Sequence, residues 1–84
     1  MVVRIRKTCE SNQTVLWVDG YLTAEDVDEL NRECRFAQGS PMLDLSNLQS
    51  ADSEGVECLR GLISLGAEPR NASEYVALLL ENES

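Results

Sequence analysis

The side chains of this sequence that could carry chemistry are serines, cysteines and carboxylates, and histidine is absent. Hydrolytic and group-transfer enzymes need a nucleophile with a general base beside it, and histidine is the most common base. The three cysteines, Cys9, Cys34 and Cys58, form no Cys-x-x-Cys pair, so their spacing fits neither a zinc site nor a disulfide framework. We therefore expect buried thiols, no catalytic residues, no metal and no other cofactor.

The charge balance argues against two classes of partner. The 84 residues include 7 basic and 15 acidic side chains, which give a formal charge of −8. Such a field repels the phosphates of nucleic acids and anionic lipid surfaces. No apolar run approaches the roughly 20 residues that cross a bilayer, and the first residues do not resemble a signal peptide. The sequence thus predicts a cytoplasmic protein that binds neither nucleic acid nor membrane.

The elements that must position these side chains follow from the spacing of the apolar residues. Alternation over Val2–Cys9 and β-branched and aromatic residues over Thr14–Val18, separated by turn residues, predict an opening hairpin. A helix capped by Thr23 is expected next, because the apolar residues then recur at helical spacing. Its stripe comprises Val27, Leu30, Cys34 and Ala37.

The second half of the chain alternates strands and helices. Pro41–Leu45 predicts a buried strand and Ser46–Asp52 a loop above its end. A second helix begins at an N-cap that is either Asp52 or Ser53, and Gly66 is placed to end it.

The last elements are a short edge strand at 67–70 and a helix after Ser73. The residues of this helix expected to return to the core are Tyr75, Val76, Leu79 and Leu80. Together the elements predict one α/β domain over residues 1–84. Its mixed four-stranded sheet is flanked by helices, in the order β-β-α-β-α-β-α.

Three segments in this order resemble the STAS family, the family of the anti-sigma-factor antagonists. They are Val15–Thr23 with its Gly-Tyr-Leu turn, Met42–Ser46 with its Asp-Leu-Ser ending, and Ala51–Val56 with its Asp-Ser-Glu-Gly loop. The resemblance covers about residues 13 to 80. It implies a non-catalytic protein-interaction module of bacterial regulation, whose partner is an anti-sigma factor with serine kinase activity.

The resemblance also assigns expected roles in the Asp-Ser-Glu-Gly loop. In family members that regulate sigma factors, the serine at the third position of this loop is phosphorylated, and Glu54 holds that position here. Glu54 is either a fixed mimic of phosphoserine or a residue that stabilises the helix dipole. Ser53 is either the N-cap or itself a phosphorylation site. Asp52 is expected to fix the loop through backbone N–H groups.

The partner-docking patch expected from the resemblance extends beyond these residues. Gly55 would let a partner's backbone approach the helix start. The whole patch comprises Asp52, Ser53, Glu54, Gly55, Val56, Tyr21 and Ser46.

Two other functions remain open at this point. The loop could sense a small ligand, although Glu54 disfavours an anion there. The chain could instead be a subunit of a homo-oligomer such as a homodimer. Trp17 bears on this second alternative, because its position in a strand favours packing in the core, whereas an exposed Trp17 would indicate an interface.

Overall fold

The computed structural model describes residues 3–37 and 39–81. In chain order the elements are β1 (Val3–Glu10), β2 (Gln13–Leu22), a 3-10 turn (Ala24–Asp26), α1 (Val27–Phe36), β3 (Met42–Asp44), β4 (Leu48–Ala51), α2 (Ser53–Ser64), β5 (Glu68–Arg70) and α3 (Glu74–Glu81). The α/β class is confirmed. No helix in the described ranges is long and apolar enough to cross a membrane.

The first two strands form the predicted hairpin, and Val2, the first residue of the predicted strand, lies outside the described residues. They pair in an antiparallel arrangement, in which Glu10 at the end of β1 lies opposite Gln13 at the start of β2. The two residues between them, Ser11 and Asn12, have φ angles of 51° and 67°. A two-residue turn with both φ angles positive has the backbone twist that joins two strands of a hairpin.

The described sheet has five strands, whereas the sequence predicted four. β1 lies on one side of β2, while β3 and β4 both lie parallel to β2 on its other side, and β5 follows β3. The prediction of a loop over Ser46–Asp52 was therefore wrong in its second half. Leu48 is the one fully buried residue of β4, so the segment has almost no apolar alternation, and backbone pairing with β2 forms the strand.

The strand β5 is the edge strand that the sequence predicted. Glu68 donates its N–H to the carbonyl of Pro41 at 3.1 Å, and the N–H of Leu45 reaches the carbonyl of Arg70 at 3.0 Å. In a parallel ladder the residue between these two, Pro69, turns its backbone away from β3. Because proline has no N–H, this outward position loses no ladder hydrogen bond.

All three helices pack on one face of the sheet. Leu30 of α1, Leu59 of α2 and Val76 of α3 form one core cluster with Leu16 and Val18 of β2. None of these five side chains is more than 1% exposed. Successive strand residues point to opposite faces, so the side chains next to Leu16 and Val18 lie on the face without these helices.

Two predictions at helix ends were wrong. Ala37, expected on the apolar stripe of the first helix, follows α1 in an extended conformation, and Thr23 does not cap a helix. Its hydroxyl donates to the carboxylate of Asp26 at 3.1 Å and makes no capping bond to the backbone. The expected end of α2 is confirmed, because the helix stops at Ser64 and Gly66 has a φ angle of 117°. Ser73 caps α3 as expected, accepting the N–H of Val76 at 3.2 Å.

The burial predicted for Tyr75 and for the three cysteines was wrong. Tyr75 is 53% exposed instead of lying in the core. Cys9 is an exposed thiol, while Cys34 and Cys58 are half-buried. Burial and the neighbouring Cys58 and Glu33 raise the pKa of Cys34 to about 11, so this thiol stays protonated at neutral pH.

Candidate functional site

Asp52 fixes the loop between β4 and α2, as the sequence predicted. Its Oδ1 accepts the N–H of Gly55 at 2.8 Å, which makes Asp52 the N-cap of α2. Its Oδ2 accepts the N–H of Ala24 at 3.1 Å, and its own N–H reaches the carbonyl of Leu22 at 3.0 Å. One carboxylate therefore joins the start of α2 to the segment that follows β2.

Gly55 is required by packing within this chain. The residue is buried, and a Cβ built at this position would lie 2.5 Å from the carbonyl oxygen of Leu22. The close approach that glycine permits is thus made by the end of β2. This contact seats the first turn of α2 directly on the sheet.

Ser53 and Glu54 are the two exposed residues of this first turn. Within the described ranges neither side chain has a hydrogen-bond or ion-pair partner, and the N-cap of α2 is Asp52 and not Ser53. The N–H groups at the start of a helix carry the positive end of its dipole. The carboxylate of Glu54 therefore lies in a favourable field while remaining open to solvent.

The other expected patch residues divide into two groups. Val56 is half-buried in α2, and half-buried Tyr21 pairs in register with Ser50 of β4, the strand that leads into the loop. Ser46 is not part of this arrangement. Its N–H and hydroxyl both bind Oδ1 of Asp44, at 2.9 and 2.6 Å.

An open groove beside Asp52 is lined by Thr23, Ala24 and Glu25, with a volume of about 420 Å³. Two of its four lining residues are carboxylates, and one of them is the N-cap. The groove is therefore poorly suited to an anionic ligand.

Asp44 is a buried carboxylate at the end of β3 that the sequence did not identify as important. It is 1% exposed. Its Oδ2 accepts hydrogen bonds from Nε of Arg70 at 2.7 Å and from the side-chain amide of Asn71 at 3.2 Å. Burial alone raises its pKa, but the hydrogen bonds from Ser46, Arg70 and Asn71 outweigh burial and lower the pKa to about 2. Asp44 of the Asp-Leu-Ser motif thus connects the turn that follows β3, through Ser46, to β5, through Arg70.

Trp17 lies on the sheet face opposite the core cluster, so the core packing favoured by the sequence was wrong. Its indole N–H donates to the hydroxyl of Thr8 at 2.8 Å. The guanidinium carbons of Arg6 and Arg70 lie 5.1 and 5.3 Å from the ring centroid, a cation–π arrangement. The ring is half-buried and held by these side chains rather than fully presented to solvent.

The comparisons with known proteins bear on the fold. No protein-family model matches the chain, and no curated protein matches it. The structure resembles that of an antisigma-factor antagonist, a STAS domain, from Rhodobacter sphaeroides, with a TM-score of 0.61 and 20% identity over 86% of this chain and 92% of that one. It also resembles an uncharacterized protein of the DUF3478 family with a SpoIIAA-like fold from Shewanella loihica, with a TM-score of 0.61 and 13% identity over 87% of this chain and 69% of that one. The chain therefore has a STAS-like fold.

Proposed function

We propose that this chain is a non-catalytic interaction module that works like an anti-sigma-factor antagonist in the bacterial cytoplasm. In this proposal a regulatory protein, an anti-sigma factor with serine kinase activity, docks on Asp52–Val56 and the start of α2. Tyr21 extends the docking patch, while Ser46 binds Asp44 and stabilises the fold.

The observation that supports this proposal is that two residues of the loop make contacts within the chain while the two between them are exposed. Asp52 and Gly55 are engaged within the chain, by two accepted N–H groups and by a close backbone approach. Ser53 and Glu54 are exposed on a turn that is fixed in this way. A rigid turn with two open polar side chains loses little conformational entropy when a partner binds.

In this proposal Glu54 determines whether the loop resembles the phosphorylated or the unphosphorylated form. A carboxylate carries a charge of −1, against about −1.5 to −2 for phosphoserine, and it cannot be phosphorylated. At the helix start it is stabilised by the dipole, typically by 0.3–1 kcal/mol. We propose that it maintains a permanent, weaker version of the phosphorylated state.

The proposal is tested by affinity capture from the lysate of the native host with wild type and Glu54→Ser, each with and without ATP. We expect an anti-sigma-type kinase to be held by Glu54→Ser and released by ATP, because the new serine restores a phosphate acceptor. Wild type should not show ATP-dependent release. Glu57→Ser is the matched control, because Glu57 is also an exposed glutamate of α2 but lies outside the first turn.

Ser53→Ala combined with Glu54→Ser identifies the acceptor by mass spectrometry of the recovered chain. Phosphate on residue 54 supports the proposal. ATP-dependent release that is identical in wild type, Glu54→Ser and Glu57→Ser would contradict it, as would the absence of any such kinase from every capture.

A further inference from the structure

The outer side of α3 carries an exposed apolar surface that no predicted role uses. Tyr75 is 53% and Leu78 64% exposed, and together with half-buried Leu79 they line an open groove of about 400 Å³. These three residues are called the α3 patch. The hydroxyl of Tyr75 lies 3.4 Å from that of Ser50, so one end of the patch is tied to β4.

Two carboxylates flank the α3 patch along one side. Glu74 precedes Leu78 by four residues and Glu81 follows it by three, and both spacings place side chains on the same side of a helix. The last turn of α3 contains no basic residue, and Glu81 lies at the negative end of the helix dipole. A cation from outside would therefore be favoured at this end.

The position of these acids argues against a second copy of the chain as the occupant. If two α3 helices paired antiparallel around Leu78, Glu74 of each copy would face Glu81 of the other. Parallel pairing would bring identical glutamates together. Each arrangement places like charges side by side, which disfavours the pair.

We infer that the α3 patch is a docking site for an amphipathic helical segment of another protein that carries basic residues beside leucine-like side chains. Glu81 lies seven positions after Glu74, which corresponds to roughly 10 Å along a helix at a rise of about 1.5 Å per residue. The segment matches this distance when two lysines or arginines flank an apolar pair over two helical turns. Tyrosine is enriched at the energetic centres of interfaces, and Tyr75 provides one here.

The test uses a synthetic helical peptide with the repeat Lys-Ala-Ala-Leu-Leu-Ala-Ala-Lys and measures its affinity by calorimetry at low ionic strength. Leu78→Ser should weaken binding at least about tenfold, because it removes the central apolar contact. Leu65→Ser is the matched control, since Leu65 is an 85% exposed leucine just after α2 and away from the patch. Both positions are exposed, so both variants should fold, and circular dichroism checks this.

A charge exchange separates the inferred partner from nonspecific attraction to an acidic protein. The doubly substituted Glu74→Lys, Glu81→Lys chain should lose the lysine peptide and bind the same repeat with glutamate in place of lysine. Equal weakening by Leu78→Ser and Leu65→Ser would overturn the inference, as would failure of the charge exchange. Light scattering that shows a dimer lost in Leu78→Ser would also overturn it, because the occupant would then be a second copy. None of these measurements involves Ser53 or Glu54, so they stand apart from the proposed function.

Discussion

Replacing Asp44 by asparagine should destabilise the protein and remove part of its acid sensitivity. The carboxylate has a pKa near 3.9 in an unfolded chain and about 2 in the folded state. Because the folded pKa is the lower one, the charged form stabilises the fold above the unfolded pKa, and this contribution disappears as the pH falls through the folded pKa. Its full size at pH 7 is about 2.5 kcal/mol, of which about half should be lost by pH 3.

The assay is urea denaturation of wild type and Asp44→Asn at several pH values between 7 and 2.5. Asparagine has nearly the same shape but cannot form the ion pair with Arg70. We expect a loss of at least about 2 kcal/mol at pH 7, because asparagine cannot carry the buried charge that Ser46, Arg70 and Asn71 stabilise in the folded state. The difference between the two chains should shrink toward low pH. Because the two chains differ only at residue 44, a constant difference across the pH range would refute this account of Asp44.

Three further predictions concern α2 and the residue that caps it. Asp52→Ala should lower the free energy of unfolding by about 1–2 kcal/mol, since both Gly55 and Ala24 lose their acceptor, and the amide resonance of Ala24 should shift in NMR spectra. Gly55→Ala should be destabilising by roughly 1–3 kcal/mol in thermal melts, because the added methyl group meets the carbonyl of Leu22 and this outweighs alanine's helix propensity. Gly61→Ala, where nothing lies within 4 Å, should instead raise stability by up to about 1 kcal/mol, and a destabilised variant would count against the packing described.

The sequence was sufficient where a few neighbouring residues determine the structure by themselves. The hairpin, the edge strand with Pro69 and the cap at Ser73 all follow from local residue types. β4 could not be predicted, because Leu48–Ala51 is short and mostly polar, and its pairing with β2 brings together residues far apart in the chain. Local propensity contains no information on such pairing.

The sequence could not show which residues of α3 are exposed or which residues contact Asp44. α3 has apolar residues on nearly all sides, so periodicity does not reveal which of Tyr75 and Val76 faces the core. Asp44 and Arg70 are separated by 26 residues, and their approach depends on β5 lying beside β3. At the candidate site, the capping role of Asp52 was predictable, whereas its bond to Ala24 arises from the tertiary fold.

The outer edges of β1 and β5 have a consequence for association between misfolded or partly opened copies. Pro69 offers an incoming strand no N–H donor on the β5 side. On the β1 side, a second β1 strand added in parallel register would bring each of Arg4, Arg6 and Lys7 beside the same residue of the other copy. Small domains have thin cores and undergo local opening. Strand addition at the β1 and β5 edges is therefore disfavoured, which lowers the tendency of locally opened copies to form amyloid-like polymers through these two edges.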